Sequence, residues 1–351
     1  MSGSVYGKLF RISTFGESHG KGVGVNVEGI RPGLPISEEE IQKELDRRKP
    51  GQSDVTTPRK ESDIVHIISG VFEGKATGTP LAMVIWNADQ RPSAYDEIKN
   101  KFRPGHADYT YLKKYGIRDH RGSGRASGRE TAGRVAAGAI AKKMLAEAGI
   151  SIHAYTMQVG SIRAEKVDLD TIEKNPVRCP DPDAAEKMAD LIRQCGSEKD
   201  SIGGIVECVA SGVPVGLGEP VFDKLDAELA KAAMSLGAVK GVEFGEGFGA
   251  VTMRGSEHND AMSPEGFVTN HAGGTLGGIS TGADIVFRIA VKPTSSIAQK
   301  QHTIDIDGNA TSIVTEGRHD PCICPRIVPV VEAMTALTLV DFLLRQKALQ
   351  G

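Results

Sequence analysis

Aromatic residues are scarce in this chain, and neither sign of charge is in clear excess. Phe, Trp and Tyr make up 5% of the 351 residues, and 42 basic side chains stand against 45 acidic ones, which gives a net charge of −3. Proteins that bind nucleic acid need a basic surface, and those that bind single strands also need aromatic side chains for base stacking. The composition therefore argues against a nucleic-acid partner.

Cysteines are few, odd in number and widely spaced, since they stand at Cys179, Cys195, Cys208, Cys322 and Cys324. Such a set does not build a disulfide framework, and the Cys-x-Cys pair has no second pair to complete a zinc site. The chain also shows no stretch that is apolar over the ~18–20 residues of a membrane span and no signal-peptide core at its N terminus. We expect a cytoplasmic protein with no metal and no membrane partner.

Glycine, in contrast, is abundant. The chain has 42 glycines, well above the average usage of about 7%. They follow no three-residue period, which excludes a collagen-like chain. Five of them fall within GGTLGGISTG, residues 273–282. Such density suits backbone packed flat against a planar ligand, and tight turns are the alternative explanation.

The periodicity of apolar residues predicts a mixed α/β (α+β) fold in a single domain, residues 1–351. Ser37 and Glu40 have capping-box spacing at the start of a helix, and Asp183 and Glu186 have the same spacing at another. We expect a surface insertion at 159–202 and long polar loops at 87–127 and 296–317. The predicted strands are 9–12, 23–27, 65–71, 81–86, 203–213 and 285–291, and the predicted helices are 37–48, 129–148, 183–195, 222–235 and 326–349.

A cluster of basic residues lies between residues 101 and 134. Nine basic and three acidic side chains give this segment a local charge of +6 in a chain whose total is −3. Arginine pairs bidentately with carboxylate and phosphate, and RGSGRASGRET places backbone N–H groups beside the guanidinium groups just before a helix. The segment therefore indicates an anion site, with a solvated basic face as the alternative.

Three histidines and one lysine segment are further candidates. His19 lies in GESHG, His106 in FRPGHADYT and His319 in GRHDP, each beside glycine or arginine. Histidine exchanges protons near neutral pH, although a single histidine is more often structural. KPTSS, residues 292–296, brings one lysine and three hydroxyl groups to the end of a predicted strand. It suits a phosphate group, or it is an ordinary turn.

Seven blocks of this chain together resemble the signature segments of the chorismate synthases and occur in the family's order. They are FGESHGKGVGVNVEGIRPG, FRPGHADYTYLKKYG, RGSGRASGRETAGRVAAGAIA, KGVEFGEGFG, GGTLGGISTG, VKPTSS and GRHDPCICPRIVPVVEAM. The resemblance implies a lyase of aromatic biosynthesis that removes phosphate from 5-enolpyruvylshikimate 3-phosphate by anti 1,4-elimination and gives chorismate. It also implies reduced FMN as cofactor without net redox change, a β-α-β sandwich with helices between antiparallel sheets, and a homotetramer.

The resemblance also implies roles for individual residues. His106 is the expected acid beside the leaving phosphate, His19 the partner of the reduced flavin, and Asp320, with Ser18 as relay, the group that takes the proton back. The expected substrate-binding residues are Arg48, Arg103, Arg129, Arg134 and Arg318. The expected FMN-binding residues are Arg48, Arg125, Ala126, Ser127, Gly237, Ala238, Gly277, Lys292, Pro293, Thr294, Ser295, Ser296 and Arg318.

One position departs from the family pattern. Asp54 stands where many members have a basic residue that helps to hold an anionic ligand, such as a pyridine nucleotide, and Arg59 is the nearby substitute. A non-catalytic anion-binding protein and a flavin oxidoreductase that consumes NAD(P)H are the competing functions. A separate flavin reductase is an expected partner, and we expect residues 45–60, 87–127 and 296–317 to order when FMN binds.

Overall fold

Two antiparallel sheets form the outer layers of the molecule. The computed structural model describes residues 3–57, 59, 61–88, 98–317 and 319–351. The first part of the chain contains β1 (Val5–Tyr6), β2 (Arg11–Gly16), β3 (Gly22–Glu28), β4 (Val65–Ser69), the small hairpin β5 (Val71–Phe72) and β6 (Lys75–Ala76), and β7 (Leu81–Trp86). The first sheet has the strand order β1-β2-β3-β7-β4.

The second sheet comes from the second half of the chain. Its long strands are β8 (Ser151–Val159), β10 (Gly204–Ser211) and β16 (Ile285–Val291), with β9 (Ile162–Arg163) at one edge and β11 (Val239–Phe244) at the other. Three two-stranded hairpins lie outside it: β12 (Met262–Ser263) with β13 (Gly266–Phe267), β14 (Thr275–Leu276) with β15 (Ile279–Ser280), and β17 (Gln301–Ile304) with β18 (Ala310–Ile313).

Helices fill the space between the two sheets. The helices are α1 (Glu38–Arg48), α2 (Asp108–Tyr115), α3 (Thr131–Ala146), α4 (Pro182–Ser197), α5 (Leu225–Met234), α6 (Gly255–His258) and α7 (Cys324–Gln350). Helix α3 packs on β3 and β7 of the first sheet, and α7 packs on α3 and on β8 and β10 of the second. The predicted β-α-β sandwich is therefore confirmed.

Helix α7 forms the centre of the core, because its side chains are buried on every face from Cys324 to Leu343. By length and composition this helix could cross a membrane, so the expectation that no stretch is apolar enough for that is wrong. The most apolar window of α7 is 94% buried inside the protein. Burial against α1, α3, α5 and the second sheet explains its uniform hydropathy.

The sequence located most of the elements but not their limits. Ser37 caps α1 by accepting a hydrogen bond from Glu40 N at 3.3 Å, as predicted. For α4 the expected cap is wrong. The side chain of Asp181, and not that of Asp183, accepts hydrogen bonds from the backbone N–H groups of Asp183 and Ala184 at the start of the helix. Strands β8 and β11 were not among the predicted elements. The stretch 296–317, which was predicted to be a polar loop, contains strands β17 and β18.

The remaining expectations concern loops. Within the described part of 87–127, α2 and a 3₁₀ turn at Gly124–Ala126 are the short helical pieces expected there. The stretch 159–202 contains α4, whose Met188 and Ile192 join the hydrophobic core. Whether it is an insertion stays a prediction, as does the ordering of the three loops by FMN.

Candidate functional site

The turn between β2 and β3 carries Ser18 and His19 into the interior. Both are buried, at 1% and 8% exposure. The amide of Asn87 secures this turn by donating to the carbonyl oxygens of Glu17 and Gly20 at 2.9 and 2.8 Å. Ser18 Oγ lies 3.1 Å from His19 Nδ1. A short turn between two paired strands thus fixes a buried imidazole.

The glycine-rich loop after α2 packs against this histidine at Gly122. A Cβ atom on Gly122 would lie 2.2 Å from His19 Nδ1 and 3.1 Å from Ser18 Oγ, and the residue has φ +76°. Only glycine combines that backbone conformation with so close an approach. The next residue, Ser123, has its Oγ 2.8 Å from His106 Nε2. Gly122 and Ser123 therefore connect the two histidines.

His106 stands between Ser123 and a carboxylate that two arginines hold. Its Nδ1 lies 3.1 Å from Asp108 Oδ1. Arg103 donates to Asp108 from Nε at 2.7 Å and from Nη2 at 2.8 Å, and Arg118 Nη1 lies 3.3 Å away. Arg103 also donates to the carbonyl oxygen of Gly122 at 2.8 Å. Although burial would raise the pKa of Asp108, hydrogen bonds from Arg103 and His106 hold it well below its usual range.

The start of α7 brings His319 and Asp320 to the same region. Thr57 N donates to Asp320 Oδ1 at 3.0 Å, and Arg326 Nη1 donates to Oδ2 at 2.5 Å. Burial, followed by the nearby charge of Arg103, lowers the pKa of His319 to about 4. Ser18 Oγ bonds to His19, and the contacts of the described residues include no direct bond from Ser18 to Asp320. The Ser18 relay stays a prediction.

Two of the expected substrate arginines share one buried carboxylate that the sequence did not indicate. Arg48 Nη2 donates to Asp63 Oδ2 at 2.5 Å, and Arg129 pairs with the other oxygen of Asp63. All three side chains are nearly inaccessible, at 2%, 0% and 3% exposure. Two guanidinium groups on one carboxylate leave one positive charge, as do Arg103 and Arg118 on Asp108. The arrangement therefore keeps two fixed positive charges beside the histidines.

Arg134 lies apart from this arrangement. Its Nε donates to Glu130 Oε2 at 2.8 Å, and its Nη1 donates to Ser235 Oγ at 2.6 Å. The contacts of Arg134 therefore run towards α5 and not towards the histidines. Arg318 lies outside the described residues.

The surroundings of His19 favour its neutral form. Burial lowers its pKa from the ordinary value, and the charge of Arg59 lowers it further. Arg59 pairs with Glu61, whereas Asp54 pairs on the surface with Arg193 at 2.7 Å. Arg59 and Arg121 are thus basic groups near His19. That Arg59 replaces the basic residue missing at Asp54 stays a prediction.

The lysine segment reaches the histidines from the second sheet. Ser295 Oγ donates to the carbonyl oxygen of Gly105 at 2.8 Å, next to His106, and Thr294 Oγ1 donates to that of Asp320 at 2.8 Å. Lys292 N donates to the carbonyl oxygen of Ala238 at 2.9 Å, so Gly237 and Ala238 adjoin the same segment. Burial and the neighbouring Lys240 lower the pKa of Lys292. Two adjacent cations suit an anionic group such as a phosphate.

The other expected cofactor residues lie in two different parts of the structure. Arg125 donates to the carbonyl oxygen of Gly16 at 3.2 Å and to Thr14 Oγ1 at 2.7 Å, beside Ala126 and Ser127 on the histidine side. Gly277 lies in the turn between β14 and β15, where a Cβ would meet nothing within 4 Å. Its neighbour Gly278 contacts Lys224 at the start of α5. No contact of the described residues joins Gly277 to the histidines.

Sequence reasoning missed Asp63, Asp108 and Ser123. Asp108 carried a usable signal, because it follows His106 by two residues and opens α2. Asp63 offered none, since the chain brings it from a separate loop to Arg48 and Arg129.

Comparison with known proteins gives one consistent result. The family described as chorismate synthase matches residues 10–344. A chorismate synthase of Methanosarcina mazei is 58% identical over 98% of this chain and 97% of its own length, and one of Desulfatibacillum aliphaticivorans is 57% identical over 99% and 97%. A crystal structure of a chorismate synthase superimposes with a TM-score of 0.76 at 34% identity, over 97% of this chain and 93% of that one. The chain belongs to the chorismate synthase family.

Proposed function

We propose that this chain catalyses the anti 1,4-elimination of phosphate from 5-enolpyruvylshikimate 3-phosphate, which gives chorismate, with reduced FMN and no net redox change. The observation that carries the proposal is that Gly122 and Ser123 join His19 and His106 into one cluster. Beside this cluster, two buried carboxylates each bind two arginines. Family membership supplies the reaction class, and this cluster supplies groups suited to it.

The positive charges serve to bind the substrate. The proposed substrate carries two carboxylates and a phosphate, and removing them from water is costly unless cations compensate. Asp63 and Asp108 each hold two guanidinium groups in place and leave one net positive charge. Arg48, Arg103 and Arg129 are therefore already oriented when the substrate arrives, so little side-chain entropy is lost on binding.

His106 acts in the proposal as the general acid at the leaving phosphate. Asp108 faces Nδ1 and fixes the orientation of the ring, which leaves Nε2, now beside Ser123, to face a phosphate oxygen. With Asp108 beside Nδ1, the ring presents Nε2 as the nitrogen that would donate a proton to the leaving phosphate. Asp108 is thus a positioning residue for His106.

His19 and Asp320 serve the flavin side. A neutral imidazole at His19, buried against Gly122, can donate a hydrogen bond to an anionic ring without adding a second cation. Reduced FMN would supply electron density for cleavage of the C–O bond and a place for the ring hydrogen. Asp320, held by Thr57 and Arg326, would accept a proton, with Ser18 as relay.

The flavin phosphate would be held by the segment from Lys292 to Ser296, where Lys292 and Lys240 lie together. Arg125, Ala126 and Ser127 would contact the ring from the histidine side, and Gly237 and Ala238 adjoin the lysine segment. We further propose that the chain works in the cytoplasm as a homotetramer, with a separate flavin reductase as the source of reduced cofactor.

An anaerobic assay tests the proposal. The purified chain is mixed with the proposed substrate and chemically reduced FMN, with and without an added flavin reductase and NADPH, and chorismate and phosphate are measured. We expect equal amounts of chorismate and phosphate with chemically reduced FMN alone, and catalytic turnover without consumption of the flavin. Stoichiometric consumption of NAD(P)H would favour an oxidoreductase instead, and substrate binding without any product would favour a non-catalytic binding protein.

A further inference from the structure

A cavity lies on the outer face of the first sheet, at the end where β2, β3 and β7 meet the turn that carries His19. It measures about 460 Å³ and opens to solvent. Phe15, Lys21, Trp86 and Arg125 line it together with Glu17 and with glycine backbone from Gly16, Gly20 and Gly22. Its size lies within the range of small-molecule sites, which is roughly 300–1,000 Å³.

Two aromatic rings form the floor of this cavity by lying across glycines of β3. Phe15 pairs with Gly24 across the strands, and Trp86 pairs with Gly22. A Cβ on Gly24 would lie 2.4 Å from Phe15 Cζ, and one on Gly22 would lie 3.2 Å from Trp86 Cε3. The absence of Cβ atoms lets both rings lie against the sheet. They remain 42% and 56% exposed, so each ring offers a free surface to a ligand.

Charges of both signs flank the rings. Lys21 and Glu17 are exposed on the rim, and neither side chain has an ion-pair partner among the described residues. Arg125 is different, because it donates to backbone and hydroxyl oxygens of β2 and lies 3.5 Å from Glu130, so it belongs to the wall. The rim therefore carries one ammonium and one carboxylate, and the carboxylate of Glu17 also interacts electrostatically with Arg121.

The histidines do not line this cavity, although Arg125, a proposed FMN contact, belongs to its wall. Ser18 and His19 belong to the same turn as Glu17, Gly20 and Lys21 but do not line the cavity. They face Gly122 on the opposite side of the turn. Aromatic side chains often cover glycines in strands, which explains why rings lie over Gly22 and Gly24. That effect does not require an open cavity with charges of opposite sign at its rim.

We propose that this cavity binds a small aromatic amino acid. Its ring would stack on Phe15 and Trp86, its carboxylate would pair with Lys21, and its ammonium group would pair with Glu17. Aromatic pairs contribute beyond the area they bury, and each ion pair on an exposed rim adds orientation more than affinity. A ligand with a ring and both charges matches every free group of the cavity.

Trp86 makes the proposal directly measurable, because it is the sole tryptophan of the chain. L-phenylalanine is titrated into the purified protein, and the fluorescence of Trp86 is excited at wavelengths that phenylalanine does not absorb. L-leucine carries the same charges without a ring, and phenylacetate and phenethylamine carry the ring with one charge each. We expect a saturable change with phenylalanine, a weaker one with either single-charge compound, and none with leucine in the same range.

Substitutions of cavity residues test whether the change in Trp86 fluorescence arises from binding in the cavity. Phe15→Leu should raise the dissociation constant for phenylalanine by about fivefold through the loss of ring stacking. Lys21→Gln should raise it by about threefold and should leave phenethylamine unaffected, because that compound has no carboxylate. The matched controls are Phe72→Leu and Lys43→Gln, which change exposed residues elsewhere and should leave both constants unchanged.

Three results would overturn the proposal. The first is the lack of any saturable change with phenylalanine, and the second is an equal response to leucine. The third is a Trp86 spectrum that shifts with protein concentration and not with ligand, which would mean that a second copy of the chain covers the cavity. None of these measurements depends on turnover. A negative result for the cavity therefore does not bear on the proposed elimination reaction.

Discussion

Each ring nitrogen of His106 has a different neighbour. Asp108 lies at Nδ1, and Ser123 lies at Nε2. Asp108 stays ionised under all ordinary conditions, since Arg103 and Arg118 hold it. The carboxylate can therefore orient the ring without competing for the proton that His106 would donate.

Replacing His106 should abolish most of the turnover and spare binding. We expect His106→Ala to lower kcat by about 10²–10⁴-fold, as for the loss of a general acid. Asp108→Asn should lower kcat less, because His106 keeps its ring and loses only the carboxylate beside Nδ1. Steady-state kinetics test both variants, with Asp190→Asn at an exposed position of α4 as control. Near-normal turnover of His106→Ala would refute the acid role.

His319 should make the folded chain less stable at acidic pH. Its pKa is about 4 when folded against 6.5 when unfolded, because burial disfavours the charged ring. Between these values the unfolded chain binds more protons, so the unfolding free energy falls as the pH falls from 6.5 towards 4, and the contribution is complete above 6.5. The groups that face His319 are Arg103, His106 and Asp320.

The measurement is chemical denaturation at several pH values in this window. His319→Asn should reduce the loss of stability between neutral and acidic pH by an amount on the order of 1–3 kcal/mol. His66→Asn, at an exposed position of β4, is the control and should leave the pH dependence unchanged. Equal slopes for the wild type and His319→Asn would contradict the burial argument.

At the scale of elements, helices α3 and α7 cross closely in the core at Gly138 and Ala333. A Cβ on Gly138 would lie 2.4 Å from Ala333 Cβ and 2.7 Å from its Cα. Alanine normally stabilises a helix by about 1 kcal/mol over glycine. Here the backbones of the two helices would have to separate, and overpacking of this kind costs about 1–3 kcal/mol.

Gly138→Ala should therefore lower the unfolding free energy despite its better helix propensity. Denaturant unfolding measures the change, and Gly255→Ala is the control, because a Cβ there meets nothing within 4 Å. The control should stay within about 0.5 kcal/mol of the wild type. A gain in stability for Gly138→Ala would mean that α3 and α7 can move apart freely.

The same scale shows what a sequence can and cannot predict. Helix α1 was found because Ser37 and Glu40 signal its start locally. Strand β8 was missed because Ser151–Val159 has no clean alternation: its burial comes from α7 on one face and from the Tyr155–Glu207 contact on the other. The histidines carried motif signals, whereas Asp63 acquires its role only when folding brings it to Arg48 and Arg129.

At the scale of the whole molecule, one buried ionic network ties the layers together at Glu332 of α7. Its carboxylate accepts from Arg47 of α1 and Lys142 of α3 at 2.6 Å each, and from the backbone N–H of Ala154 on β8 at 3.1 Å. Burial alone would raise the pKa of Glu332, but Lys142 and Arg47 lower it to about 2. One carboxylate therefore joins two helices and a strand to the central helix.

Removing this charge should weaken the fold far more than removing an exposed one. Glu332→Gln leaves Arg47 and Lys142 without their shared carboxylate, and we expect a loss of about 2–4 kcal/mol at neutral pH. Glu40→Gln is the matched control, because its pair with Lys143 also joins α1 to α3 but is half exposed, and we expect a change below about 1 kcal/mol.

The pH dependence separates the charge of Glu332 from its packing. Because its pKa is lowered on folding, its contribution is complete above about 4.5 and is lost as the pH falls towards 2. The difference in unfolding free energy between the wild type and Glu332→Gln should therefore shrink across that range, as measured by denaturant unfolding at matched ionic strength. A difference that stays constant down to pH 3 would mean that the shape of the side chain, and not its charge, holds α7 to the other layers.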